Sequence, residues 1–184
     1  MPYPYSLTDY VNELKNYILA NNITKPNIIA HSFGGRIEIK LLATDGELVN
    51  RVVLTGSAGL KPKRSFKYRV KKLCYSLLKK FVKKERLKGF YSKDYLSLSP
   101  VMQQSFIKIV NEHLDNLLPK IKNKTLIVFG EKDTETPIYM AKKLNKNIKN
   151  SKLIIIKGAG HFCFLENPNK FNLEVREFLL SKGE

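Results

Sequence analysis

The sequence is short of several features that would otherwise decide its class. Its 184 residues include only two cysteines, Cys74 and Cys163, too few for a disulfide scaffold or a cysteine-built zinc site. The three histidines, His31, His113 and His161, lack metal-ligand spacing. No metal or other cofactor is therefore expected. No apolar run approaches the ~18 residues that a membrane-crossing helix needs. The N-terminus, MPYPYSLTDY, has no basic segment followed by an apolar core, so a secretory leader is not expected and a reducing cytoplasm is the default location. Arginine is scarce, at six against 27 lysines. Base reading and bidentate phosphate recognition favour arginine, so nucleic-acid binding is not expected. There is no internal repeat and no low-complexity linker.

What remains is a core-forming composition, 43% hydrophobic and 27% charged, of the kind that folds as one domain-sized unit. Thirty-three basic residues against sixteen acidic ones give a net charge of +17. The excess is concentrated. Residues 61–93 hold fourteen basic residues and one acidic residue, Glu85, for a net +13. Val70, Leu73, Leu77 and Phe81 fall at helical spacing there, while Lys71, Lys72, Lys79, Lys80, Lys83 and Lys84 occupy other faces. The segment 60–100 is thus predicted to be a basic amphipathic helix or helix pair. Such a face is either plainly solvated or a match for a carboxylate-bearing substrate or an anionic membrane surface.

Around this insertion the chain alternates helix and strand. Leu7, Val11, Leu14 and Ile18 share one helical face, predicting a helix over 7–20 with Ser6 as N-cap, stopped by Asn21-Asn22. Residues 26–31 (PNIIAH) read as a buried parallel strand, being apolar without alternation. A turn, Ser32-Phe33-Gly34-Gly35, leads to a helix over 36–44 with Ile37, Leu41 and Leu42 inward. RVVLT (51–55) is a second strand, closing a βαβ unit. Further elements are a helix near 101–111, a strand over 125–129, a helix opened by Pro137 behind Thr136, a strand over 153–156 and a last helix opened by Pro168. The expected class is α/β: about four parallel strands with flanking helices and a helical insertion.

Three groups stand at predicted strand ends, where α/β folds place their sites. Ala30-His31-Ser32-Phe33-Gly34 matches the nucleophile elbow G-x-S-x-G, with alanine for the first glycine. Small flanking residues suit a turn in which neighbouring backbones pass close together. Ser32 would sit at a helix N-terminus, where developing negative charge is favoured, with the Phe33 N–H as oxyanion donor. Asp133 follows the third strand. Gly158-Ala159-Gly160-His161 follows the fourth. The order Ser32, Asp133, His161 is that of a nucleophile, the acid that orients a base, and the base. His31 reads as a packing histidine, His113 as solvent-exposed, Cys163 as buried filler and Ser57 as a weak rival nucleophile lacking the elbow spacing.

On AHSFGG (30–35), RVVLTGSAG (51–59), LPKIKNKTLIVFGEKDTETP (118–137) and KLIIIKGAGHFCFLENP (152–168), the chain resembles the α/β-hydrolase superfamily. It is most similar to small serine members with a helical lid, among them carbon–carbon bond hydrolases and esterases. The resemblance implies a partial α/β-hydrolase fold with core segments 1–59 and 101–184 and a lid at 60–100. It implies Ser32 as nucleophile, Asp133 as acid, His161 as base, and a small ester or activated carbonyl substrate. Serine at the elbow disfavours the aspartate-based haloalkane and epoxide chemistries. Members usually carry further strands before the elbow and an HG motif that supplies another oxyanion donor. Here the elbow comes behind one helix and no His-Gly dipeptide occurs, so the expectation is an N-terminally shortened core. Residues 27–31 would then present an open strand edge for a partner chain or self-association. The alternative expectation is a non-catalytic fragment whose basic helices bind an anionic partner or lipid surface.

Overall fold

The computed structural model describes residues 3–63 and 93–181. The basic helices expected within 64–92, with Cys74, lie outside the described residues. The chain divides into two compact units, Leu7–Leu60 with Glu112–Glu184, and Met1–Ser6 with Lys61–Asn111.

The larger unit is built on four parallel strands, β1 (Ile28–His31), β2 (Arg51–Thr55), β3 (Lys124–Gly130) and β4 (Ser151–Ile156), side by side in chain order. Ile29 pairs with Val53, Val53 with Leu126 and Leu126 with Lys152. The central strands are buried on both faces, and β2 is buried at every position, which is why it reads as an unbroken apolar run. Helices α1 (Leu7–Ala20) and α2 (Phe33–Asp45) precede and follow β1. α1 buries Leu7, Val11 and Ile18 and ends where Asn22 adopts a left-handed φ of 53°, a position asparagine tolerates. The last helices are α5 (Ile138–Asn147), α6 (Cys163–Glu166) and α7 (Pro168–Leu180). Asn167 caps α7 by accepting the Lys170 N–H. At its other end Arg51 donates to the Phe178 carbonyl and to Ser181, a cation on the negative end of a helix. Val53, Leu126, Val128 and Ile156 pack with Cys163, Phe171 and Val175 into the core on the α7 side.

The smaller unit contains α3 (Lys93–Ser97) and α4 (Pro100–Asn111). The N-terminal residues lie along α4. The Tyr5 N–H donates to Ser105 Oγ at 2.8 Å, and Lys108 Nζ to the Pro4 carbonyl at 3.0 Å. Among the described residues no helix is long and apolar enough to cross a membrane.

α2 departs from the sequence expectation. It begins at Phe33 rather than Arg36, and Ile39 rather than Ile37 lies in the core. The cause is Gly35, which presses onto the following strand's turn. A Cβ at that position would run into the Ser57 side chain and backbone. Gly35, Ile39, Leu41 and Leu42 are buried, the last two as expected, and Ile37 lies on the flank, half-buried. Ser57 itself is fully buried and donates its hydroxyl to the Ala58 carbonyl, which removes it as a nucleophile.

Glu38, also on α2, is 1% exposed and neither carboxylate oxygen has a hydrogen-bond partner. Burial pushes its carboxyl up to about 7. A carboxyl that holds its proton more tightly when folded costs nothing below its unfolded value. Its penalty grows as pH rises from about 4.5 to 7 and is constant above that, reaching on the order of 3 kcal/mol.

Two outcomes are expected in urea unfolding. Glu38→Gln flattens the fall in stability between pH 5 and 8 and stabilises the chain most at pH 8. Gly35→Ala destabilises by about 1–3 kcal/mol through overpacking, whereas Gly34→Ala, whose Cβ would meet only Ala30 at 3.9 Å, is neutral or gains up to about 1 kcal/mol of helix propensity.

Candidate active site

The sheet delivers three loops to one end. The first is the turn at Ser32. Its backbone is left-handed, with φ 49° and ψ −110°, a conformation that costs a non-glycine residue about 1–3 kcal/mol. The surroundings hold it there. The Ser32 N–H donates to the Thr55 carbonyl at 3.1 Å, and the Ser32 carbonyl accepts from the Gly35 N–H at 3.1 Å and the Ala58 N–H at 3.0 Å. α2 starts at the next residue, and the Phe33 N–H donates to no backbone carbonyl. The Phe33 ring is 40% exposed and meets Tyr10 edge-on at 5.2 Å.

The other two loops are laced together. The Glu131 N–H donates to the Ile156 carbonyl at 3.0 Å and the Lys132 N–H to the Ala159 carbonyl at 2.8 Å. The Gly158 N–H donates to Glu131 Oε2 and the Gly160 N–H to Glu166 Oε2. These bonds set Asp133 against His161, whose Nδ1–H donates to Asp133 Oδ2 at 2.9 Å. Asp133 also accepts from the Glu135 N–H at 2.9 Å, the Thr136 N–H at 2.8 Å and Thr136 Oγ1 at 2.7 Å. Burial pushes its carboxyl up. The hydrogen bonds from His161 and Thr136 outweigh that and hold it below the usual carboxylate range. An ionised, fully bonded carboxylate fixes the imidazole's tautomer with Nε2 free to accept a proton.

His31 stacks on His161 with ring centres 4.7 Å apart, and Phe162 and Phe164 complete the cluster around it. The Nδ1–H of His31 donates to the Thr55 carbonyl at 3.1 Å, while Nε2 is buried without a partner. Burial, and then the neighbouring His161, push the His31 imidazole down, so it stays neutral as a packing ring. Cys163 is buried beside the Thr55 hydroxyl, and burial pushes its thiol up, as suits a packed rather than a reactive cysteine.

Of the residues expected from the sequence, Asp133 and His161 are in direct contact. Ser32 stands one residue from the ring stacked on His161, and its Oγ forms no hydrogen bond with His161. His113, expected to be solvent-exposed, is half-buried. Thr136 does not cap α5. Pro137 takes that place, and the Thr136 hydroxyl serves Asp133 instead. Glu135 was not foreseen. Its Oε2 lies 3.5 Å from His161 Nε2, and only its spacing of two from Asp133 hinted at it. A cavity of about 550 Å³ between residues 42–50 and 120–123 includes none of these groups.

A family model described as the alpha/beta hydrolase fold matches residues 60–168. The chain belongs to the α/β-hydrolase fold family. The matched stretch includes Asp133 and His161, with Ser32 preceding it. The AB hydrolase superfamily protein YisY of Bacillus subtilis is 27% identical over 92% of this chain and 68% of its own length. A 2-hydroxymuconate semialdehyde hydrolase of Pseudomonas putida is 24% identical over 95% of this chain and 69% of its own. Among solved structures, an esterase from Exiguobacterium antarcticum superposes with a TM-score of 0.72 at 27% identity, covering 97% of this chain and 75% of that one. This α/β-hydrolase fold carries a buried His–Asp pair and an elbow-like serine at the same sheet end.

Gly56 offers a direct check on how tightly the imidazole is seated. It has φ 49°, and an added Cβ would lie 3.1 Å from His161 Nδ1 and 3.2 Å from the His161 carbonyl. Gly56→Ala is expected to destabilise by about 1–3 kcal/mol and to shift or abolish the low-field Nδ1 proton resonance of the His161–Asp133 bond in NMR.

Proposed function

We propose that this chain is a serine hydrolase that acts on small esters or activated carbonyl compounds. One observation carries the reading: the buried 2.9 Å bond between Asp133 and His161 Nδ1, at the sheet end where Ser32 is held in a left-handed turn. In the proposed reaction His161 Nε2 takes the Ser32 hydroxyl proton as Oγ attacks the carbonyl carbon. Catalytic hydrogen bonds often tighten only when substrate is bound, so the serine–histidine bond is assigned to the complex. The oxyanion gathers at the Phe33 N–H and the positive end of α2. Asp133 stabilises the charged imidazole. Collapse passes the proton to the leaving alcohol. Water, deprotonated by His161, then releases the acyl group from Ser32. The hydrolase and esterase named among the relatives support a small ester or carbonyl substrate. The lid role of 60–100 and a cytoplasmic location belong to the same reading.

A second observation favours self-association. Among the described residues no strand pairs with the outer side of β1, and Ile29 there is 52% exposed. Bare strand edges of this kind recruit further strands. Binding of an anionic partner or membrane surface through the basic insertion is the non-catalytic alternative.

A fluorophosphonate probe is expected to label Ser32 in the folded chain. Ser32→Ala is expected to abolish both label and ester turnover, and Asp133→Asn to lower kcat/KM by about 10³–10⁴-fold. A folded chain that neither labels nor turns over any ester overturns the catalytic reading. Salt-sensitive binding to anionic vesicles would then favour the alternative.

A further inference from the structure

We propose that Glu135 sets the charge preference of this site, favouring esters that are neutral or cationic near the reacting carbonyl over esters that carry a carboxylate there. The proposal rests on the reading of Ser32, Asp133 and His161 as the triad, and deepens it to a substrate class.

The two carboxylates around His161 are not equivalent. Asp133 has a side chain with no exposure, and it is committed to the Nδ1 side by the hydrogen bonds described above. Glu135 stands on the opposite, Nε2 side at 3.5 Å, and its side chain is 65% exposed. Its backbone is anchored by the N–H bond to Asp133 Oδ1, so the side chain is rooted beside the imidazole while its end is free to turn. No lysine or arginine among the described residues forms an ion pair with it. Among the described residues no fixed cation compensates it.

Nε2 is the nitrogen that must receive the serine proton. A charge within contact distance of it acts on whatever group the substrate places next to the scissile bond. At a separation of about 5 Å, with an effective dielectric between that of water and that of a protein surface, one like charge changes relative binding on the order of tenfold. The basic excess of residues 61–93 draws anions toward the protein as a whole. Salt screens charge interactions over about 8 Å at physiological ionic strength, so a carboxylate 3.5 Å from the imidazole is weakened by added salt less than longer-range attraction. Glu135 therefore acts on the substrate group placed beside the ring.

The test uses the full chain and three p-nitrophenyl esters of matched length, with acyl chains ending in a methyl, a carboxylate or a trimethylammonium group. Each kcat/KM is taken as a ratio to the methyl ester within the same variant, so that a general loss of activity cancels. The wild type is expected to rank cationic, neutral, anionic, with the spread shrinking as salt is added. Glu135→Gln is expected to raise the anionic ratio and lower the cationic ratio, each on the order of tenfold. Glu135→Lys should invert the order, and Glu135→Asp should keep it. Ratios that are the same in all four proteins overturn the proposal.

The triad reading fails separately, by absence of turnover and of Ser32 labelling. In that case the carboxylate and trimethylammonium acids and alcohols are titrated into Ser32→Ala and Ser32→Ala/Glu135→Gln, with the His161 ring resonances observed by NMR. A cationic preference lost with Glu135 upholds the charge role without any chemistry, and equal affinities overturn it.

Discussion

The left-handed turn at Ser32 is the constraint on which the rest of the site depends. A serine in that conformation is strained, and the strain is tolerated because three backbone bonds close around it. One comes from Gly35 in α2, and the other two involve Thr55 at the end of β2 and Ala58 just beyond, so the turn depends on β1 and β2 being in register. Gly35 makes the register compatible with α2, since a side chain there would strike Ser57. The consequence runs outward from backbone to chemistry. One peptide unit turns the serine out of the strand, starts a helix at the next residue, and leaves the Phe33 N–H without a backbone carbonyl to bond.

His161 and Asp133 are positioned by a different device. β3 and β4 end in loops that exchange backbone bonds, and two glutamates, Glu131 and Glu166, accept N–H groups from the glycine-rich stretch 158–160. His161 is thus delivered by a loop that is pinned at several points rather than by a rotamer alone. The ring is then trapped between Asp133 and His31. Thr55 links this device to the first, because its carbonyl receives both the Ser32 N–H and the His31 ring.

Much of this was legible in the residues. The boundaries of α1 and β2 coincide with their patterns, since each is an uninterrupted signal: a four-three-four apolar spacing in one, five buried residues in the other. β4 extends two residues earlier than its apolar run, because Ser151 and Lys152 are polar residues on a strand that, among the described residues, pairs on one side. Asp133 and His161, each singled out by its place after a strand, meet in the fold. What stayed hidden were interactions that depend on rotation about a helix or loop. Glu38 carries no pattern in the sequence that marks it as buried, and the fold places it inside. Thr136 reads as a helix cap, and the tight Asp133 turn claims its hydroxyl first. Ile37 and Ile39 are alike in composition and differ only in which face the earlier helix start gives them.

Burial, more than charge count, separates the roles of the acidic groups. Asp133 and Glu38 are both removed from solvent, yet their carboxyls move in opposite directions, Asp133 down and Glu38 up. The difference is hydrogen bonding: four bonds reach Asp133 and none reaches Glu38. A buried carboxylate is affordable when donors replace its water, and otherwise it takes up a proton. Glu135 is the third case, a carboxyl that keeps contact with solvent. A chain whose net charge is +17 thus places carboxyl groups beside both ring nitrogens of His161. The buried one is fixed by the fold. The exposed one keeps its contact with solvent.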